Sequence, residues 1–98
     1  VPPAPPMMEP TTPPPTMPAA LAEQLSSIVN LVIRVWVKRA GVWLVWDITL
    51  PPELNSLQTG IYSGEQAAIF VSQPASLTVG GVTYVSNADN WINIPAWP

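Results

Sequence analysis

Whatever chemistry this chain performs has to come from tryptophan, proline and a thin set of charges, because the sequence contains neither cysteine nor histidine. Disulfide frameworks and histidine general-base chemistry are therefore excluded, and any metal would need an all-oxygen site. The acids Glu9, Glu23, Asp47, Glu53, Glu65 and Asp89 show no close pairing of the kind that acid–base catalysis uses. The oxygen-rich run SNADNWIN, Ser86–Asn93, holds one carboxylate, Asp89. It lacks the acid spacing of a calcium loop and reads as a plain turn. Arg34, Lys38 and Arg39 carry all the positive charge. They suit a phosphate, a neighbour's carboxylate or a salt-bridged hairpin end, and with a net charge of −3 they do not make a nucleic-acid surface. No phosphate loop, nucleophile elbow or zinc spacing is present. The expectation is a protein that is not an enzyme and that uses no cofactor or metal.

Binding chemistry is better represented. Nine of the first eighteen residues are proline, in VPPAPPMMEPTTPPPTMP. Proline fixes φ and donates no backbone hydrogen bond, so this composition favours an extended polyproline-II arm. Overlapping PxxP spacings occur at Pro2/Pro5, Pro3/Pro6, Pro10/Pro13 and Pro15/Pro18. Ligands of SH3 and WW domains generally carry a basic flank, whereas the only charge in this arm is Glu9. A tether lying in a groove of a neighbouring subunit fits better, and eighteen residues of polyproline-II reach roughly 55 Å. Pro2, Pro3, Pro5, Pro6, Pro13, Pro14 and Pro15 are the candidate contacts. The chain also has five tryptophans: Trp36, Trp43, Trp46, Trp91 and Trp97. Flat aromatic faces can stack on sugar rings, but tryptophan is equally a favoured anchor in cores and interfaces. Trp46 is expected in the core, and Trp36, Trp43 and Trp97 are the candidate partner contacts.

The remaining composition agrees with a binding part. The 98 residues allow one domain, and about eighty remain once the arm is set aside. Hydrophobic residues make up 48% and charged ones 9%. Typical soluble domains have roughly 25% charged residues, so burial against partners is expected. The most apolar stretch, Ile28–Leu50, is interrupted by Arg34, Lys38, Arg39 and Asp47, which argues against a membrane span. No basic-then-apolar leader is visible, and the start at Val1 fits either Met removal or proteolytic maturation.

These residues must be positioned by short elements. Three regions are expected: an extended arm over 1–18, a short helix or linker over 19–27, and an antiparallel β domain over 28–98. In the second, AALAEQLSS is rich in helix formers, with Thr16 as a candidate N-cap, and Leu21, Leu25 and Ile28 recur at helical spacing. A helix running on to Gly41 competes with a strand across Ile28–Val37, and the alternation of β-branched residues favours the strand. It places Val29, Leu31, Ile33, Val35 and Val37 on one face and Asn30, Val32, Arg34, Trp36 and Lys38 on the other. A two-residue loop at Ala40-Gly41 would set Val37 against Leu44, Val35 against Trp46 and Ile33 against Ile48. On the opposite face Arg34 meets Asp47, Trp36 meets Val45 and Lys38 meets Trp43. A slip of one residue would mix both faces. Ala40-Gly41 lacks the asparagine that such loops prefer, and a loop longer by two residues keeps the same faces.

Pro51-Pro52 ends that hairpin, and Glu53–Gly64 reads as a loop with a short strand at Ile61-Tyr62. Gln66–Ser72 is the next strand. Gly80-Gly81 turns a second hairpin that pairs Val79 with Val82, Thr78 with Thr83 and Leu77 with Tyr84. Asn87–Asn90 turns again, and WINIPAWP supplies a last strand. The fold class is mainly β: five or six short antiparallel strands in a small sandwich or open barrel.

The function this describes is a structural component of a large assembly. The leading expectation is a minor capsid, cement or decoration protein of a virus or phage, located in the virion. Its partners would be other protein subunits, with self-association included and nucleic acid excluded. The alternative is a carbohydrate-binding module on a proline-rich linker, extracellular or at a cell surface.

Overall fold

The computed structural model describes residues 17–98. Thr16 and the arm before it lie outside the described residues. The described residues fold into six antiparallel strands and one short helix, so the mainly β expectation holds. A helix, α1, spans Ala19–Gln24. Its N-cap is Pro18, without a side-chain cap hydrogen bond. The last turn closes at Leu25, and Leu21, Leu25 and Ile28 are all buried, as their spacing requires. One turn of 3-10 helix, Val29–Leu31, leads into β1.

Four strands form one sheet in the order β2-β1-β3-β6. They are β1 (Val32–Arg39), β2 (Val42–Asp47), β3 (Gln66–Val71) and β6 (Trp91–Ile94). The strands β4 (Ser76–Val79) and β5 (Val82–Val85) make a separate two-stranded ribbon. The first hairpin has the expected register, with Val35 opposite Trp46, Val37 opposite Leu44 and Lys38 opposite Trp43. Ala40 and Gly41 both take positive φ, 52° and 79°. This is the mirror-image turn whose twist matches the flanking strands. Gly80 and Gly81 repeat the device at φ 58° and 81°, and the ribbon pairs as its sequence dictates.

The beginning of β1 departs from the alternation. A bulge between Val32 and Arg34, where β1 meets β3, makes Ile33 the extra residue. Val32 is thereby turned into the core beside Val35 and Val37, whereas unbroken alternation would put it on the other face. Ile33 is only half-buried, and Ile48, which donates its N–H to the Ile33 carbonyl just past the end of β2, is 46% exposed. The expected strand at Ile61-Tyr62 is absent. Instead Ile61 is buried and its backbone is gripped by Gln24 of α1: Nε2 donates to the Ile61 carbonyl (2.8 Å), and Oε1 accepts its N–H (2.7 Å).

The core lies under one face of the sheet. Val35, Val37, Trp46, Ala67, Ile69, Val71, Ile92 and Ile94 point into it, and they are joined there by Leu21 and Ala22 of α1 and by its C-cap, Leu25. The helix is thus part of the domain rather than a linker ahead of it. Leu57 and Ile61 from the long loop and Leu77 from the ribbon join the cluster, as do Met17, Ile28, Val29, Val32 and Trp97. The same loop runs along the outer edge of β2. There Ser56 Oγ accepts the Val45 N–H, Leu57 N–H donates to the Val45 carbonyl, and Asn55 Oδ1 accepts the Asp47 N–H.

Two substitutions test this local physics. A Cβ on Gly60 would sit 2.7 Å from Gln24 Oε1 and 3.3 Å from Ala20 Cβ. Gly60→Ala should therefore push the Gln24 clamp off Ile61 and cost about 1–3 kcal/mol in denaturant unfolding. Ala40→Asn should raise the unfolding midpoint, because asparagine tolerates the left-handed conformation that costs alanine about 1–2 kcal/mol.

Candidate functional site: a tryptophan trough on the open face of the sheet

The second face of the four-stranded sheet carries the candidate binding residues. Cross-strand pairing places Val45, Trp36, Ala68 and Asn93 in one row across β2, β1, β3 and β6. Asp47, Arg34, Phe70 and Trp91 form the next row, and Trp43, Lys38 and Gln66 the row on the other side. Ala68 is the small residue between large neighbours. With only a methyl group at that point, the tryptophan rings become walls and the sheet surface becomes a floor. The result is an open trough of about 420 Å³ lined by Trp36, Trp43, Ala68, Trp91 and Asn93. Only Asn93 among these is polar.

Ring contacts hold the walls. Trp36 and Trp43 meet edge-to-face, with centroids 6.4 Å apart and planes at 87°. Trp91 leans on Phe70 at 5.0 Å. Lys38 Nζ lies 5.9 Å from the Trp43 ring, the cation–π contact that the register implies. Such aromatic pairs are worth about 0.5–1.5 kcal/mol each beyond the area they bury. Trp43 remains 42% exposed, so this wall faces solvent.

Two of the three expected tryptophan contacts, Trp36 and Trp43, are in the trough. The third is corrected: Trp97 is buried in the core, at 8% exposure. It is held there because its N–H donates to the Glu65 carbonyl and its own carbonyl accepts the Gly64 N–H, which ties the tail to the loop before β3. Trp46 is fully buried, as expected. Trp91, absent from the candidate contacts, is the wall that sequence reasoning missed. Its place beside Trp36 depends on β6 joining β3, and nothing local to either strand reveals that. Pro2, Pro3, Pro5, Pro6, Pro13, Pro14 and Pro15 lie outside the described residues.

The charged residues serve the frame. Asp47 is buried and accepts from Arg34 Nε (2.5 Å), from the Thr49 N–H (2.8 Å) and from the Thr49 hydroxyl (2.7 Å). Glu65 receives Arg39 through two nitrogens, Nε at 2.5 Å and Nη2 at 2.8 Å, and also the Tyr62 N–H at 2.7 Å. Arg39 further donates to the Thr59 hydroxyl and the Gly60 carbonyl, and it stacks 4.0 Å from the Tyr62 ring. The hairpin end is therefore bolted to the 59–65 loop. Lys38 is the one cation without an ion pair among the described residues. The Asn87 side chain accepts the backbone N–H groups of Asp89 and Trp91, so Asn87–Trp91 is a turn closed on itself. The described residues hold no cluster of three metal-ligating side chains and no helix long and apolar enough to cross a membrane.

No family model matches the chain, and no curated protein or solved structure matches it.

The ion pairs set a pH dependence. The Arg39 hydrogen bonds hold the Glu65 carboxyl below its ordinary 4.5. Burial pushes Asp47 up, but the Thr49 and Arg34 hydrogen bonds outweigh it and hold that carboxyl below 3.8. Groups depressed in the folded state stabilise above their unfolded pKa and lose that contribution as pH falls through the folded one. Thermal stability should therefore be level from neutrality to about pH 5 and should decline below about pH 4.5. Glu65→Gln, expected to cost about 1–2 kcal/mol at pH 7, should flatten part of that decline. Circular-dichroism melts across pH 2–7 measure both.

Proposed function

We propose that this protein is a non-catalytic docking component of a larger protein assembly, and that the tryptophan trough is the surface by which it binds neighbouring subunits. A minor capsid, cement or decoration protein of a virus or phage particle is the form of assembly that fits best. The trough carries this reading. A half-exposed tryptophan wall over an alanine floor, in a chain with 9% charged residues, has large apolar area that gains from burial. The proline-rich composition of residues 1–16 supports it, because such sequences favour polyproline-II, a form suited to a second point of attachment.

A carbohydrate ligand is the second reading, favoured by the openness of the trough and by the polar Asn93 within it. Against it stands the lining itself. Sugar sites orient hydroxyls through several hydrogen-bonding side chains, and here four of five lining residues are apolar.

Hydroxyl-radical footprinting of the chain, in its native assembled material and again after dissociation, separates the readings. Trp36, Trp43 and Trp91 should be protected in the assembly and become reactive on release. Equal labelling in both states would remove the docking proposal. Quenching of the tryptophan fluorescence by soluble oligosaccharides, abolished in Trp43→Ser, would replace it with the carbohydrate reading.

A further inference from the structure

We infer that the occupant of the trough is the proline-rich arm, residues 1–16, of a neighbouring copy of this chain. The inference rests on the docking role just proposed and names the partner. Its first support is chemical: prolines in an extended PxxP segment dock in aromatic-lined grooves because their rings pack flat on aromatic faces and the segment has little conformational freedom left to lose. The trough offers three tryptophan rings, and the arm contains eight prolines within sixteen residues.

Dimensions allow the match. Prolines three apart share one face of a polyproline-II helix and repeat every ~9.3 Å. Trp36 and Trp91 stand on β1 and β6, which flank β3, and in adjacent rows. Two inter-strand spacings, ~9.6 Å, and two residues of strand rise, ~6.8 Å, set their backbone positions ~12 Å apart on the diagonal. An arm crossing the strands obliquely over Ala68 brings same-face prolines, such as Pro2/Pro5 or Pro3/Pro6, within reach of both rings. Charge is complementary as well: Glu9 is the only charged residue of the arm, and Lys38, unpaired among the described residues, borders Trp43.

The route favours a neighbour over the chain's own trough. The arm joins at Met17, which is buried with α1 under the core face, while the trough lies on the opposite face. The run Pro13-Pro14-Pro15 just before that point resists the sharp reversal a path back over its own sheet would need. Sixteen residues of polyproline-II reach ~50 Å, as long as the 51 Å longest dimension of the domain. A neighbour is within range. Because arm and trough are different surfaces, the contact is head-to-tail and can propagate along a row of copies.

Complementation between two full-length variants tests this. One carries Trp43→Ser with Ala68→Leu, which removes a wall and fills the floor. The other carries alanine at Pro2, Pro3, Pro5 and Pro6. By sedimentation velocity, the wild type should self-associate with rising concentration. Each variant alone should associate at least tenfold more weakly. An equimolar mixture should form a 1:1 pair, because one supplies the arm and the other the trough. A monomeric wild type, or a mixture no better than its parts, overturns the inference. If association is lost in the trough variant but persists in the proline variant, the docking role stands and the arm is not the occupant. If association ignores both sets of changes, the docking role falls with it. Circular dichroism of each variant against the wild type shows that the fold is retained.

Discussion

With only Ala40 and Gly41 between Arg39 and Val42, β1 and β2 pair so that Val35 and Val37 meet Trp46 and Leu44, while Trp36 and Lys38 meet Val45 and Trp43. Core and trough both hang on that register. A strand has two faces, and a slip of one residue exchanges them along its whole length. Here both faces are committed. One supplies the centre of the core; the other supplies two of the three tryptophan walls and the Arg34–Asp47 pair. The core and the tryptophan trough are two sides of the same pairing.

The second layer of organisation is how the long loop, 48–65, is tied down without strand pairing. Gln24 grips Ile61 from α1, Arg39 and Glu65 join the loop to the hairpin end, and Leu57 and Ile61 enter the core. The ion pair is two-pronged and largely shielded, the geometry in which a charge pair contributes more than exposed pairs do. Gly60 matters here because a side chain at that point would occupy the space Gln24 needs. A loop rich in turn formers thus becomes a structural wall rather than a tether.

Local pattern made the two hairpins legible, because alternation and two-residue turns act over a handful of residues. The pairs Arg34–Asp47, Lys38–Trp43 and Thr78–Thr83 all come from them. The bulge at Ile33 was not legible, since it depends on how β1 meets β3, a strand more than thirty residues away in sequence. The same holds for Trp91 and Trp97. Both are tryptophans near the end of the chain, yet strand order puts one at the trough and backbone bonds to Gly64 and Glu65 bury the other. Arg39 looked like one member of a basic cluster, and its partner Glu65 comes from the far side of the loop. Residue type singled out the tryptophans; only the order β2-β1-β3-β6 told which of them stand together.

The loop along β2 has a consequence for crowding. Many proteins guard an edge strand with lysines or other charges, which this sequence scarcely possesses. From Val45 to Asp47 the outward amide hydrogens go to Ser56 and Asn55, and the Val45 carbonyl takes Leu57. A stray strand from another molecule finds those positions already occupied. Such shielding keeps the sheets of a charge-poor chain from fusing edge to edge along that stretch, however high the local density.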